Sequence, residues 1–153
     1  MPAERTPAAE VAIDDGLVRR LLTEQLPDLR GLPLVRLAEG WDNVIFRLGD
    51  ELTVRLPRRR LAAELVEHEQ RWLPELAPKL PLAIPAPVGI GRPGPGYPWA
   101  WSVCPWLPGA VAQQVAPDDP FDAATRLGRF LAALHEPAPP DAPANPFRGV
   151  PLA

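Results

Sequence analysis

The stretch from Glu39 to Arg59, EGWDNVIFRLGDELTVRLPRR, constrains this chain more than any other. Its apolar residues alternate. Val44, Phe46 and Leu48 fall on one face of an extended segment, with Ile45 and Arg47 on the other. Gly49-Asp50 is a turn signal, after which Leu52, Val54 and Leu56 resume the period of two. With Gly40 at a preceding turn, the segment reads as a glycine turn between two strands, a hairpin turn, and a third strand carrying one inward arginine.

Thr53 and Arg55 share the face of that third strand opposite Val54. A small residue beside a cation suits a roof over an adenine with a charge reaching its phosphates. Arginine keeps its proton and offers a planar fork of donors to phosphate oxygens. Gly40 lets a backbone approach an anion closely. The edge of a β-meander with a solvated arginine fits the same residues, and this segment alone does not separate the two.

Leu61–Leu76 (LAAELVEHEQRWLPEL) has helical period, and Leu61, Leu65, Trp72, Leu73 and Leu76 predict its buried stripe. Glu69 falls inside that stripe, while Glu64 and Glu67 point toward water. A carboxylate on an apolar face needs a partner, and Arg55 is the natural one. A snorkelling surface glutamate is the alternative. Pro74 predicts an end or a kink near Leu73.

The run Trp99–Gly109, WAWSVCPWLPG, reads as a strand closed by the Pro108-Gly109 turn. Pro105 lacks an N–H but keeps its carbonyl, and Leu107 keeps its N–H. That acceptor–donor pair suits an adenine edge. The tryptophan side chains read as core filling.

The rest is coarser. Asp14 or Asp15 caps a helix through Leu26, with Leu17, Leu21, Leu22 and Leu26 inward. Val88–Gly91 is a short strand, and PGPGYP is a turn-rich connection without the following helix of a phosphate loop. Asp118, Asp119 and Asp122 suit the positive end of a helix from Phe121 to His135, rather than a metal site. Arg58-Arg59-Arg60 reads as a solvated strand end.

A formal charge of −3 gives no reason to expect nucleic-acid or membrane binding. Cys104 is the single cysteine, which excludes an intrachain disulfide and a cysteine-based zinc cluster; it reads as a packed thiol. The N-terminus lacks the apolar core of a signal peptide and no run approaches a membrane span, so a cytoplasmic location is expected.

Taken in order, GWDNVIFRL, TVRLPRR, EHEQRWLPELAPKLPLAIPAPVGIG and YPWAWSVCPWLPG resemble the N-terminal lobe of the aminoglycoside phosphotransferase family, small-molecule kinases related in fold to protein kinases. RGVPL near the end resembles the family's run into its C-terminal lobe. The resemblance implies an α+β fold: an antiparallel sheet of about five strands with a packed helix, an N-terminal helix, and a C-terminal helix leading onward. It also implies site residues. Arg55 stands where protein kinases carry lysine, Glu69 is its helix partner, and Gly40, Trp41, Asp42 and Asn43 cover the phosphates. Thr53 lies over the adenine, and Pro105 and Leu107 form the hinge beside it. The nucleotide is ATP or GTP with Mg2+, and the acceptor is a small-molecule hydroxyl.

The family's H-G-D-type loop, with its base and its metal-holding asparagine and aspartate, has no counterpart here. The expectation is therefore a nucleotide-binding part without catalytic or metal-ligating residues of its own, truncated before the catalytic loop and inactive alone. A non-catalytic nucleotide- or protein-binding module is the alternative. The expected organisation is a disordered tail over 1–12, a nucleotide-binding lobe over 13–109, and a linker with the first helix of a second lobe over 110–153. Leu127, Phe130, Leu131 and Leu134 leave that helix with an apolar stripe, from which self-association is expected.

Overall fold

The computed structural model describes residues 7–143. Five antiparallel strands form one sheet in the order β1-β2-β3-β5-β4. They are β1 (Leu34–Glu39), β2 (Asn43–Leu48), β3 (Leu52–Pro57), β4 (Gly89–Gly91) and β5 (Trp101–Pro105). Three α-helices accompany them: α1 (Asp15–Gln25), α2 (Arg60–Leu76) and α3 (Pro120–Leu134). This is the α+β lobe that the alternation and the resemblance implied.

The alternation settles which face is core. Val44, Phe46, Leu48, Val54, Leu56, Trp101 and Val103 pack with Leu17, Val18, Leu21 and Leu22 of α1 in one continuous cluster. Asp14 starts α1 by accepting the Leu17 N–H at 2.7 Å. Gly49, at φ 59, makes the β2–β3 turn. The Gly94–Tyr97 bridge closes the PGPGYP connection, and the buried Tyr97 hydroxyl donates to the Pro57 carbonyl at 2.7 Å.

Residues 1–12 were expected as a disordered tail. Within the described part, however, Glu10 lies against the sheet's end: its N–H donates to the Arg58 carbonyl at 2.9 Å. Its carboxylate also accepts the Arg60 N–H at 3.3 Å. That matters because Arg59, the N-cap of α2, makes no side-chain capping bond of its own.

Helix α2 lies over the other face, against β3 and β5. Its buried side chains are Ala62, Ala63 and Val66. The predicted stripe is thus corrected, since Leu61 is 57% exposed and Leu65 44%. Small residues win because they let the helix axis approach the sheet, and Ala62, Val66 and Glu69 follow helical spacing. Gln70 fixes the register, donating to the Trp101 carbonyl at 2.9 Å and to Ser102 Oγ at 3.1 Å. Pro74 lies within α2 without ending it.

Helix α3 begins as the three aspartates implied. Asp119 accepts the N–H groups of Phe121 and Asp122 at 2.9 and 3.0 Å. None of its residues is buried, and Phe121, Leu127, Leu131 and Leu134 are exposed. The RGVPL run lies outside the described residues. No described helix is long and apolar enough to cross a membrane.

Candidate nucleotide site

The α2-facing side of the sheet carries polar and apolar residues in registered rows. Val35, Arg47, Thr53 and Cys104 are paired in one row across β1, β2, β3 and β5. Ala38, Ile45, Arg55 and Ser102 make the next. A bulge sets Leu37 beside Ala38 opposite Ile45. Val35 and Leu37 are exposed and Ile45 half-buried, an apolar roof that leads to the arginine.

Arg55 and Glu69 meet as the sequence suggested. Arg55 Nη1 lies 3.2 Å from Glu69 Oε2, with the two side chains 20% and 31% exposed. The surface-glutamate alternative is thereby set aside. The pair is partly desolvated, which strengthens its attraction, yet both side chains keep some exposed surface. Cys104 sits beside it. Burial pushes the thiol's pKa up, the Arg55 guanidinium partly offsets this, and the Glu69 charge adds to it. It is a packed, free cysteine.

Thr53 is buried, its hydroxyl 3.3 Å from the Cys104 carbonyl. At the end of β5 the Trp106 N–H donates to the Glu51 carbonyl at 2.7 Å. The trans peptide then turns the Pro105 carbonyl to the opposite edge. Strand β4 and its lead-in residue occupy that edge only as far as Val103, which the Val88 N–H reaches at 2.8 Å. The Pro105 carbonyl thus lies at an edge β4 does not cover, with Leu107 two residues on.

One tryptophan of this run departs from the expectation of core filling. Trp101 is fully buried, but Trp106 is partly exposed, with the Arg47 guanidinium 3.9 Å over its ring. Trp41, in the glycine turn, is also exposed.

The glycine turn spans Gly40 to Asn43, closed by the Gly40 N–H donating to the Asn43 carbonyl at 2.9 Å. Gly40 has no positive φ, and a Cβ there would meet only that carbonyl oxygen, at 3.8 Å. The fold itself therefore does not demand glycine at this position.

The arginine run is the largest correction. Arg58 is 5% exposed; it donates to the Gly40 carbonyl at 2.9 Å and pairs with Glu39 at 2.6 Å. Arg59 donates to the Trp41 carbonyl at 3.2 Å and pairs with Asp42 at 2.7 Å. Both face the turn instead of solvent. Composition hid this, because the acceptors are main-chain carbonyls that no side-chain pattern announces.

Among the described residues, no group of three or more His, Cys, Asp or Glu side chains converges as a metal site. A separate cavity of about 330 Å3 lies between the C-terminal turns of α2 and the segment after α3, lined by Trp72, Leu76, Leu134 and Pro139 among others. It shares no residue with the site above.

The profile described as the phosphotransferase enzyme family (APH) matches residues 33–151. No curated protein matches the sequence. Among solved structures, the GDP complex of wild-type aminoglycoside 2'-phosphotransferase-IIIa is 24% identical, with TM-score 0.70, over 80% of this chain and 42% of that one. The streptomycin-ATP-APH(2'')-IIa ternary complex is 19% identical, with TM-score 0.57, over 85% and 42%. ADP-bound aminoglycoside phosphotransferase APH(2'')-Ib is 18% identical, with TM-score 0.60, over 82% and 41%. The chain thus spans less than half the length of these structures, and at such identities the likeness establishes the fold.

Proposed function

As the chain belongs to the phosphotransferase enzyme family, we propose that it is the nucleotide-binding part of a small-molecule phosphotransferase, one that moves a γ-phosphate from ATP or GTP to a hydroxyl. The observation that carries this reading is the Arg55–Glu69 pair at 3.2 Å, in the row next to Thr53 and beneath an apolar roof. A half-buried cation that stays partly open and is oriented by a carboxylate suits a phosphate better than it suits a scaffold.

The purine lies against Val35, Leu37, Ile45 and Thr53, with its edge at the Pro105 carbonyl and the Leu107 N–H. Arg55 reaches its phosphates, Glu69 orients Arg55, and Gly40, Trp41, Asp42 and Asn43 cover the phosphates from above. Phosphoryl transfer also needs a base and Mg2+ ligands. We assign these, with the acceptor site, to a C-terminal lobe that this stretch enters at about residue 110. The nucleotide dependence supports a cytoplasmic location, where ATP and GTP are available. The exposed stripe of α3 supports contact with that lobe or, without it, with a second copy.

Titration calorimetry of the chain with MgATP and MgGTP tests the reading. Binding of at least one, lost in Arg55→Ala, supports it, and phosphate transfer gained on joining a family C-terminal lobe selects the enzyme over a non-catalytic module. Absence of binding to either nucleotide refutes it.

A further inference from the structure

The carbonyls of Gly40, Trp41 and Asp42 are consecutive, and all are held from the same place in the chain. Arg58 Nη1 donates to Gly40, Arg59 Nε to Trp41, and the Arg58 main-chain N–H to Asp42, at 2.9, 3.2 and 2.9 Å. Every peptide here is trans, so each carbonyl points opposite to the N–H of the residue that follows. Drawing those carbonyls toward Arg58 and Arg59 turns the N–H groups of Trp41, Asp42 and Asn43 the other way. Among the described residues, the Trp41 and Asp42 N–H groups donate to no main-chain acceptor. Successive N–H groups presented together make an anion-binding concavity.

The same side chains deal with charge. A carboxylate at a phosphate-binding turn repels its ligand, and this turn is bracketed by Glu39 and Asp42. Arg58 lies 2.6 Å from Glu39 and Arg59 2.7 Å from Asp42. Arg36 pairs with the second oxygen of Glu39 and donates to the Ile13 carbonyl at 2.8 Å, anchoring the cluster to the body of the lobe. Arg58 is nearly buried, so it is positioned to hold the turn's main chain, with little surface left for a ligand.

We propose that Arg58 and Arg59 are positioning residues: a guanidinium clamp that shapes the glycine turn, aims its N–H groups at phosphate and masks its two carboxylates. The inference rests on the nucleotide reading given above. A clamp of this kind acts on phosphate recognition and leaves purine recognition at Pro105 and Leu107 untouched.

The test measures binding of MgATP, MgGTP, adenosine and guanosine to the full chain and to its Arg58→Gln and Arg59→Gln variants. Arg59, less buried than Arg58, provides the second variant should Arg58→Gln unfold. The expected result is about tenfold weaker triphosphate binding, the scale of losing one charge-assisted hydrogen bond, with the matching nucleoside changed less than about twofold. Amide exchange at Gly40, whose N–H closes the turn by donating to the Asn43 carbonyl at 2.9 Å, followed without nucleotide, is expected to speed up in both variants. Equal weakening of nucleoside and triphosphate, or unchanged triphosphate affinity, overturns the clamp while the nucleotide reading stands. Unchanged exchange at the turn overturns it as well. Failure of the unmodified chain to bind any of the four ligands overturns the nucleotide reading itself, and accelerated exchange would then mark the arginines as structural only.

Discussion

Glu69 on α2 holds Arg55 on β3 at 3.2 Å, across the only face of the sheet that α1 does not cover. Partial exposure limits the pair's contribution to stability to less than about 1 kcal/mol. Its value lies in aiming the guanidinium. Arg55→Ala is therefore expected to leave the thermal midpoint nearly unchanged while weakening triphosphate binding more than about tenfold. Glu69→Gln, which keeps an acceptor but not the charge, is expected to fall between the two. Calorimetry alongside thermal denaturation checks both, and a collapse of stability in Arg55→Ala would make the pair structural.

Gly40 and Gly91 make a contrasting pair. A Cβ on Gly91 would stand 1.9 Å from the Trp101 ring, inside the β4–β5 register. At Gly40 it would meet nothing nearer than 3.8 Å. Gly91→Ala is expected to cost about 3 kcal/mol or more, because the buried indole has no room to yield. Gly40→Ala is expected to change stability by less than about 0.5 kcal/mol while weakening triphosphate binding. Urea denaturation of both variants separates a glycine the fold needs from one a ligand needs.

Tyr97 is the only tyrosine, so its titration is directly visible by ultraviolet absorbance. Burial pushes its pKa far above the ordinary 10.0. Unfolding frees the phenol to ionise, so the neutral form's stabilisation is complete below about pH 10 and declines above it by up to about 1.4 kcal/mol per pH unit. Tyr97→Phe is expected to remove the phenol's part of the alkaline slope and leave the part contributed by the buried Cys104 thiol. At neutral pH it is expected to cost about 1–2 kcal/mol by leaving the Pro57 carbonyl without its donor. A tyrosine that titrates normally in the folded protein contradicts this packing.

Glu10 supplies the cap that α2 lacks. Glu10→Ala is expected to lower stability by about 0.5–1 kcal/mol, as loss of a helix cap does. Hydrogen exchange should show the first turn of α2 opening before the rest.

The sheet was legible because its strands alternate cleanly and their turns carry Gly49-Asp50 and PGPGYP. The ion pair was legible because a carboxylate on an apolar helix is conspicuous. The buried face of α2 was misread, since large residues dominate a hydrophobic pattern while Ala62 and Ala63 decide how closely a helix seats. Arg58 and Arg59 were misread for a different reason. Their partners are main-chain carbonyls and acids distant in sequence, Glu39 and Asp42, which periodicity cannot connect. The exposure of Trp106, read as core filling, was not legible because its contact is with a cation two strands away.

The most direct measurement is an amide NMR titration of the chain with MgATP and, separately, MgGTP. The account predicts that one nucleotide shifts the Leu107 amide at the hinge together with the Trp41 and Asp42 amides of the turn, along one binding curve. Shifts confined to other surfaces, or none at saturating concentrations of either nucleotide, would contradict it.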